Sequence, residues 1–126
     1  IRDKLVTGVQ TCALPIYLTL DSYQLLSDIP ESELYNKNFA RKDKDIRAPH
    51  IKKIFDRYEK LTNFIIEDIC SYDQISERVD IIERWLAIAN VCQELKNYND
   101  LIMLNTLFFN YLFYLYYQKK LCSNHL

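Results

Sequence analysis

Two long stretches of the chain repeat apolar residues at steps of three and four, which is the period of an amphipathic α-helix. The first begins at Pro49, since proline costs no hydrogen bond in a first helical turn, and ends near Cys70. The second runs from about Ile75 to Asn97. The apolar positions are Ile51, Ile54, Phe55, Tyr58, Leu61, Ile65 and Ile69 in the first, and Ile75, Val79, Ile82, Trp85, Leu86, Ala89 and Cys92 in the second. Each stripe predicts a helix with one buried face.

Helix start signals predict three further helices and support the second long one. These signals are a Thr19 N-cap before a helix over about 20–28, Pro30 in the first turn of a short helix over about 30–36, a Ser71-x-x-Gln74 capping box before Ile75, and an Asn99 cap before a helix from Asp100 onward. One glycine and three prolines in 126 residues leave little turn chemistry for hairpins. The predicted fold class is therefore all-α, with about five helices, of which the last three are antiparallel neighbours.

Charge is balanced over the chain but uneven along it. The totals are 16 basic and 17 acidic residues, so they predict no nucleic-acid partner. Residues 37–60 hold nine Lys/Arg and four Asp/Glu, a local net charge of +5. This basic stretch is either a solvated surface or a site that meets an acidic protein, a phosphate group or an anionic membrane surface.

The chain shows no pattern of covalent or metal chemistry. Cys12, Cys70, Cys92 and Cys122 have no Cys-x-x-Cys spacing and lie far from both histidines, so neither a zinc site nor a disulfide framework is predicted. We expect Cys70 and Cys92 to be reduced, buried core residues, which favours an intracellular compartment. With no paired nucleophile, phosphate loop or metal spacing, we expect no enzyme, cofactor or metal. We expect His50 to be a partly exposed capping or packing residue, and Trp85 to lie in the core.

One run of twelve residues carries a resemblance to a known family. Residues 40–51 read Ala-Arg-Lys-Asp-Lys-Asp-Ile-Arg-Ala-Pro-His-Ile. This run resembles the catalytic domain of Ras-type guanine-nucleotide exchange factors, where Lys-Lys-Asp-Lys-Glu is followed by Ser/Ala-Pro-Asn and then by a helix that faces the small GTPase. Segments in the family's order continue the likeness on both sides: 18–26, 29–34, 57–58, 61–65, 77–78, 88–89 and 95–99.

The resemblance implies a fold and a function. The fold is an incomplete part of the exchange-factor catalytic domain, and the function is that of a regulator that speeds GDP/GTP exchange on a Ras-family small GTPase without bond-making chemistry. By position, the GTPase-contacting residues are Lys52, Phe55, Asp56 and Glu59. In the family a helical hairpin late in the domain opens the nucleotide pocket. This chain has no counterpart of the hairpin, so we expect the fragment to be inactive alone. The implied location is cytoplasmic, at the inner face of the membrane, which the chain reaches peripherally through the GTPase.

The two ends do not follow the family pattern. Residues 1–16 resemble a translated sequencing-adapter tract and have no consistent period, so we expect them to be non-native and disordered or loosely packed. The partial exchange-factor domain then covers 17–107, and 108–126 is an aromatic-rich tail, interpreted as non-native, with seven aromatic residues among its first ten. An alternative is a small α-helical protein-interaction module, with or without a membrane anchor through the 17 uncharged residues 101–117.

Overall fold

The computed structural model describes the backbone of residues 8–123 and the side chains of residues 13–110. Within that part the chain forms six α-helices and one 3-10 segment: α1 (Gly8–Ser27), α2 (Glu31–Leu34), the 3-10 segment (Tyr35–Ala40), α3 (Lys44–Arg47), α4 (Pro49–Cys70), α5 (Ile75–Glu94) and α6 (Tyr98–Ser123). The all-α prediction is confirmed, with α3 as a helix that the apolar pattern did not predict. Four residues form too short a stretch to show a period.

The core lies where the four long helices meet, with α5 in contact with α1, α4 and α6. Ile65 of α4, Cys92 of α5 and Leu104 of α6 are completely buried there. Trp85 is in this core, as predicted, and its indole ring makes an edge-to-face contact with Phe64 at a centroid distance of 6.3 Å. Burial of these side chains holds the helices together.

The predicted buried faces are only partly right. On α4, Ile54, Ile65 and Ile69 are buried as predicted, but Phe55 is 54% exposed. On α5 the buried face is Ile81, Trp85, Ile88, Ala89 and Cys92, whereas the predicted members Ile75, Val79 and Leu86 are exposed. Apolar residues occur on more than one side of α5, so the period alone did not determine which side packs against α1 and α6.

The first helix begins much earlier than predicted. Thr19 lies within α1 and is not an N-cap; its hydroxyl donates to the Pro15 carbonyl oxygen at 2.7 Å. Leu14 packs against the core and Pro15 is fully buried. The expectation of a disordered or loosely packed segment is therefore wrong for residues 13–16, where the side chains of Leu14 and Pro15 find a partner surface. Residues 1–7 lie outside the described part of the chain.

Two predicted caps are also replaced. Asn97, and not Asn99, caps α6, since its Oδ1 accepts the Asp100 backbone N–H at 3.2 Å. The hydroxyl of Ser71 donates backwards to the Asp68 carbonyl oxygen at 2.7 Å, and α5 starts after Gln74 without a side-chain cap. Asn99 lies inside the first turn because α6 begins at Tyr98, and its side chain bonds Tyr58 and Ser22 instead.

The last helix continues into the aromatic-rich stretch. Phe108, the first residue assigned to the tail, is buried in the core, and Phe109 is 71% exposed. The side chains of residues 111–126 lie outside the described part. Across the residues that the structure describes, no helix has the length and apolar character needed to cross a membrane.

Candidate functional site: the outward face of α4

The N-terminus of α4 is capped by a carboxylate from another helix. Glu33 of α2 is 3% exposed, and its oxygens accept the backbone N–H of His50 at 3.1 Å and that of Ile51 at 3.0 Å. These amides belong to the first turn of α4, where backbone donors have no partner within the helix. The negative charge of Glu33 also complements the positive end of the helix dipole. Glu33 therefore fixes where α4 starts relative to α2.

The same carboxylate meets the side chain of His50. The ring Nδ1 lies 2.5 Å from Glu33 Oε1, and the side chain of His50 is 38% exposed, so the expected partly exposed packing residue is confirmed. Burial alone would raise the pKa of Glu33, but the hydrogen bonds from the Ile51 amide, the His50 ring and the His50 amide outweigh it and lower that pKa. Glu33 thus stays ionised in its buried position.

A second anchor holds the middle of α4. The guanidinium of Arg57 bonds both oxygens of Asp100 on α6, through Nη1 at 2.6 Å and Nη2 at 3.2 Å, and its Nε donates to Asp21 of α1 at 2.5 Å. Asp100 is completely buried and the Arg57 side chain is 13% exposed. Burial would lower the pKa of Arg57, but the hydrogen bonds and charges of Asp100 and Asp21 raise it. Three helices are thereby joined through one cation.

Other polar groups complete this buried cluster. Asp100 Oδ2 also accepts the Ser22 hydroxyl at 2.9 Å and the Asn97 amide at 2.6 Å. The Tyr58 hydroxyl bonds Asn99, which links α4 to the start of α6 a second time. Among the described residues, no buried side-chain nitrogen or oxygen lacks a partner. Because a fully satisfied network favours one arrangement of its members, the orientation of α4 about its own axis is fixed.

The four residues implied by the resemblance lie together on the opposite side of α4. Lys52, Phe55, Asp56 and Glu59 follow each other at steps of three, one and three, so they share one helix face. Phe55 is 54% exposed and Glu59 is exposed, while the side chains of Lys52 and Asp56 are 41% and 47% exposed. Lys52 Nζ donates to Asp56 at 2.7 Å, and this hydrogen bond raises the pKa of Lys52. The structure brings all four together.

The surface of this face suits contact with a large molecule. It offers one exposed aromatic ring, one ion pair and one further carboxylate, flanked by open grooves of about 530 Å³ between α1 and α4 and about 430 Å³ between α4 and α6. Among the described residues, no cluster of three or more His, Cys, Asp or Glu side chains could hold a metal ion. A broad, fixed helix face of this kind offers the geometry that helix-in-groove and helix-face recognition uses.

The residue pattern did not predict that Glu33, Arg57 and Asp100 hold α4 in place. A signal for Arg57 was present, because it lies three residues after Ile54 and four before Leu61, on the inward side of the helix. A buried arginine needs an anionic partner. Nothing in the local pattern identifies Asp100, which is 43 positions away. Cys92 is buried as predicted, but Cys70 at the end of α4 is exposed, so that expectation was wrong.

The fold and this surface define an all-α domain that presents one firmly anchored helix face to solvent. A family model of the RasGEF domain matches residues 16–110. The chain belongs to the RasGEF domain family.

Individual relatives agree with this assignment. The chain is 32% identical to mouse Ras-specific guanine nucleotide-releasing factor 2 over 85 residues, which cover 68% of this chain and 7% of that protein. It is 33% identical to Ras guanine nucleotide exchange factor Y of Dictyostelium discoideum over 82 residues, 65% of this chain and 5% of that protein. Protein son of sevenless of Drosophila melanogaster is 28% identical over 85 residues, again 68% of this chain and 5% of the relative. The matched region thus spans less than a tenth of these relatives. No solved structure gives a significant match.

Proposed function

We propose that this chain is the GTPase-docking part of a guanine-nucleotide exchange factor for Ras-family small GTPases. The observation that carries the proposal is the outward face of α4, where Lys52, Phe55, Asp56 and Glu59 are all accessible on a helix held from behind by two polar anchors. Membership of the RasGEF family supports the GTPase as the partner. The chain works in the cytoplasm, at the inner face of the membrane, where its GTPase is found.

Exchange by such a factor needs no covalent step. A protein that binds the nucleotide-free state of a GTPase more tightly than the nucleotide-bound state shifts the population towards release. The resemblance assigns the opening of the nucleotide pocket to a helical hairpin late in the family's domain, and residues 1–126 hold no counterpart of it. The 126-residue polypeptide by itself therefore binds the GTPase without accelerating exchange.

Binding to a nucleotide-free Ras-family GTPase tests the docking face. Phe55→Ala should raise the dissociation constant at least about tenfold, because a central aromatic ring commonly contributes most of the binding free energy of an interface. Phe64→Ala is the matched control: Phe64 is 58% exposed and lies nine positions, about two and a half turns, further along the same helix, so it faces the other way. Because the Phe64 ring contacts Trp85, circular dichroism is used to confirm that this variant is folded. Biolayer interferometry measures the dissociation constants of wild type and both variants for the nucleotide-free GTPase. Equal binding by wild type and Phe55→Ala would remove Phe55 from the site.

Charge on the same face offers a second matched pair. Glu59→Lys reverses a charge within the docking face, whereas Glu67→Lys reverses another exposed charge about two turns further along. Only Glu59→Lys should change the dissociation constant and its salt dependence. If the two variants bind alike, Glu59 lies outside the interface.

Nucleotide release tests the inactivity of the isolated polypeptide. A Ras-family GTPase loaded with a fluorescent GDP analogue should release it at the same rate with or without a tenfold excess of the 126-residue chain. Acceleration by the chain would show that residues 1–126 suffice for exchange and would refute this part of the proposal. The docking face would then be tested by whether Phe55→Ala abolishes that acceleration.

A further inference from the structure

The surface turn between α2 and α4 combines exposed apolar side chains with basic ones. We name residues 34–47 the basic turn. Its apolar side chains are Leu34, Tyr35, Phe39 and Ile46, exposed by 56%, 58%, 37% and 85%. Its charged residues are five basic and two acidic, a net charge of +3, and all seven are exposed. A single exposed apolar side chain needs no explanation, but several of them in one short segment, with basic residues beside them, mark a protein or membrane interaction site.

Most of the basic side chains in the turn are not neutralised. Among the described residues, one cation pairs with a carboxylate, Arg47 with Asp43. No ion pair is formed by Lys37, Arg41, Lys42 or Lys44. Their charges are therefore available to an external anion.

The turn is ordered and attached to the rest of the fold. Asn36 and Lys37 adopt left-handed backbone angles, with φ of 52° and 53°, and reverse the path of the chain after α2. The amide of Asn38 donates to the Ser32 carbonyl oxygen at 2.9 Å, which closes that reversal. At its other end the turn enters α4 through Ala48, which is 1% exposed. A preformed surface loses little conformational entropy when it binds.

We propose that the basic turn docks directly on an anionic lipid bilayer. Its free cations lie among the headgroup phosphates and carboxylates, while Ile46 and Tyr35 enter the interfacial layer, where aliphatic and tyrosine side chains are stabilised. An acidic protein would satisfy the charges too, but an apolar anchor in a protein complex needs a fitted pocket around it. A bilayer accepts separate apolar side chains without shape complementarity. Neither groove beside α4 is lined by residues of the turn. This membrane contact is independent of GTPase binding.

Vesicle flotation of the full 126-residue chain tests the charge part of this proposal. We expect the chain to bind vesicles of phosphatidylcholine with about 30 mol% phosphatidylserine, which stand for an anionic leaflet. Binding should become weaker as the salt concentration is raised. Lys42→Gln and Lys44→Gln should each lower the partition coefficient about fivefold. Arg84→Gln removes an exposed charge from α5 and is the matched control, which should bind like wild type. Circular dichroism of each variant confirms that it is folded.

The apolar part is tested with a second matched pair. Ile46→Ser should weaken binding several-fold, whereas Ile75→Ser, at a site 78% exposed on α5, should not. The proposal is overturned if the chain binds pure phosphatidylcholine vesicles as strongly as vesicles that contain phosphatidylserine. It is also overturned if the Lys42, Lys44 and Ile46 variants all bind phosphatidylserine vesicles as strongly as wild type. Binding of soluble poly-glutamate without any binding of phosphatidylserine vesicles would assign the turn to an acidic protein and would overturn it as well.

Discussion

Two arginine–aspartate pairs in this chain have the same chemistry and opposite surroundings. In the cluster between α1, α4 and α6, Arg57 and Asp100 have side chains that are 13% and 0% exposed. In the basic turn, Arg47 and Asp43 have side chains that are 48% and 47% exposed. Water can replace either partner of the surface pair, whereas the buried pair has only the protein to satisfy it. The buried pair therefore determines structure, and the surface pair leaves its neighbours free to meet other molecules.

The largest expected difference between the two regions is in stability. Asp100→Ala should lower the free energy of unfolding by about 3 kcal/mol, because it leaves Arg57 buried with Asp21 as its one carboxylate. Urea unfolding followed by circular dichroism measures this loss. An Asp100→Ala variant that is already unfolded without urea would also agree with the prediction. Asp43→Ala is the matched control and should unfold at the wild-type urea concentration. Equal midpoints for the two variants would contradict the contrast between the regions.

Thiol reactivity compares the buried core with the surface in the same molecule. Burial, with the nearby Asp100 charge, raises the pKa of Cys92 to about 11, whereas Cys70 is exposed. At pH 8 about one in a thousand Cys92 thiols would be ionised, and the thiolate is the reactive form. Peptide mapping after timed iodoacetamide labelling should show Cys70 modified at least about 100-fold faster. Similar rates for both residues would mean that Cys92 is accessible.

The cap on α4 should have an intermediate effect. Glu33→Gln keeps one acceptor oxygen but loses the charge and the second acceptor, so the free energy of unfolding should fall by about 1–2 kcal/mol. Glu31→Gln, on the exposed side of the same short helix, serves as the control. Urea midpoints that agree for both variants would show that the Glu33 contacts contribute nothing to stability.

The smallest expected effect is a loss of folding stability at acidic pH. The pKa of Glu33 is lowered in the folded chain from its ordinary value of 4.5, so its contribution is fully present above pH 4.5 and is lost as the pH falls through the lowered value. Wild type should therefore lose more stability than Glu33→Gln between pH 5 and pH 3. Thermal melts across that interval measure the difference, and parallel curves for the two proteins would refute it.

Several features were accessible from local pattern. The period of α4 predicted its bounds. It also left Lys52, Asp56 and Glu59 outside the apolar stripe, as the structure has them, but it left Arg57 there too, and the Arg57 side chain is 13% exposed. The motif order from Leu18 to Asn99 indicated the RasGEF family, which the family model confirmed over residues 16–110. The role of those residues in binding a GTPase stays a prediction.

Other features depended on groups far apart in the chain. The carboxylate of Glu33 caps a helix that starts 16 residues later, and the Asn99 side chain bonds Tyr58 of another helix. Helix start signals that span a few residues cannot show hydrogen-bond partners that lie far away in the sequence. The burial of Pro15 likewise depends on packing that its own neighbours in sequence do not reveal.

The amino-acid order alone was enough for the all-α class and the bounds of α4, because helical period and proline geometry act over a few neighbouring residues. The side of α5 that is buried, the partners of Arg57 and the cap of α4 were decided only when distant segments packed together. Those choices depend on which surfaces exclude water from one another, and that is a property of the assembled helices.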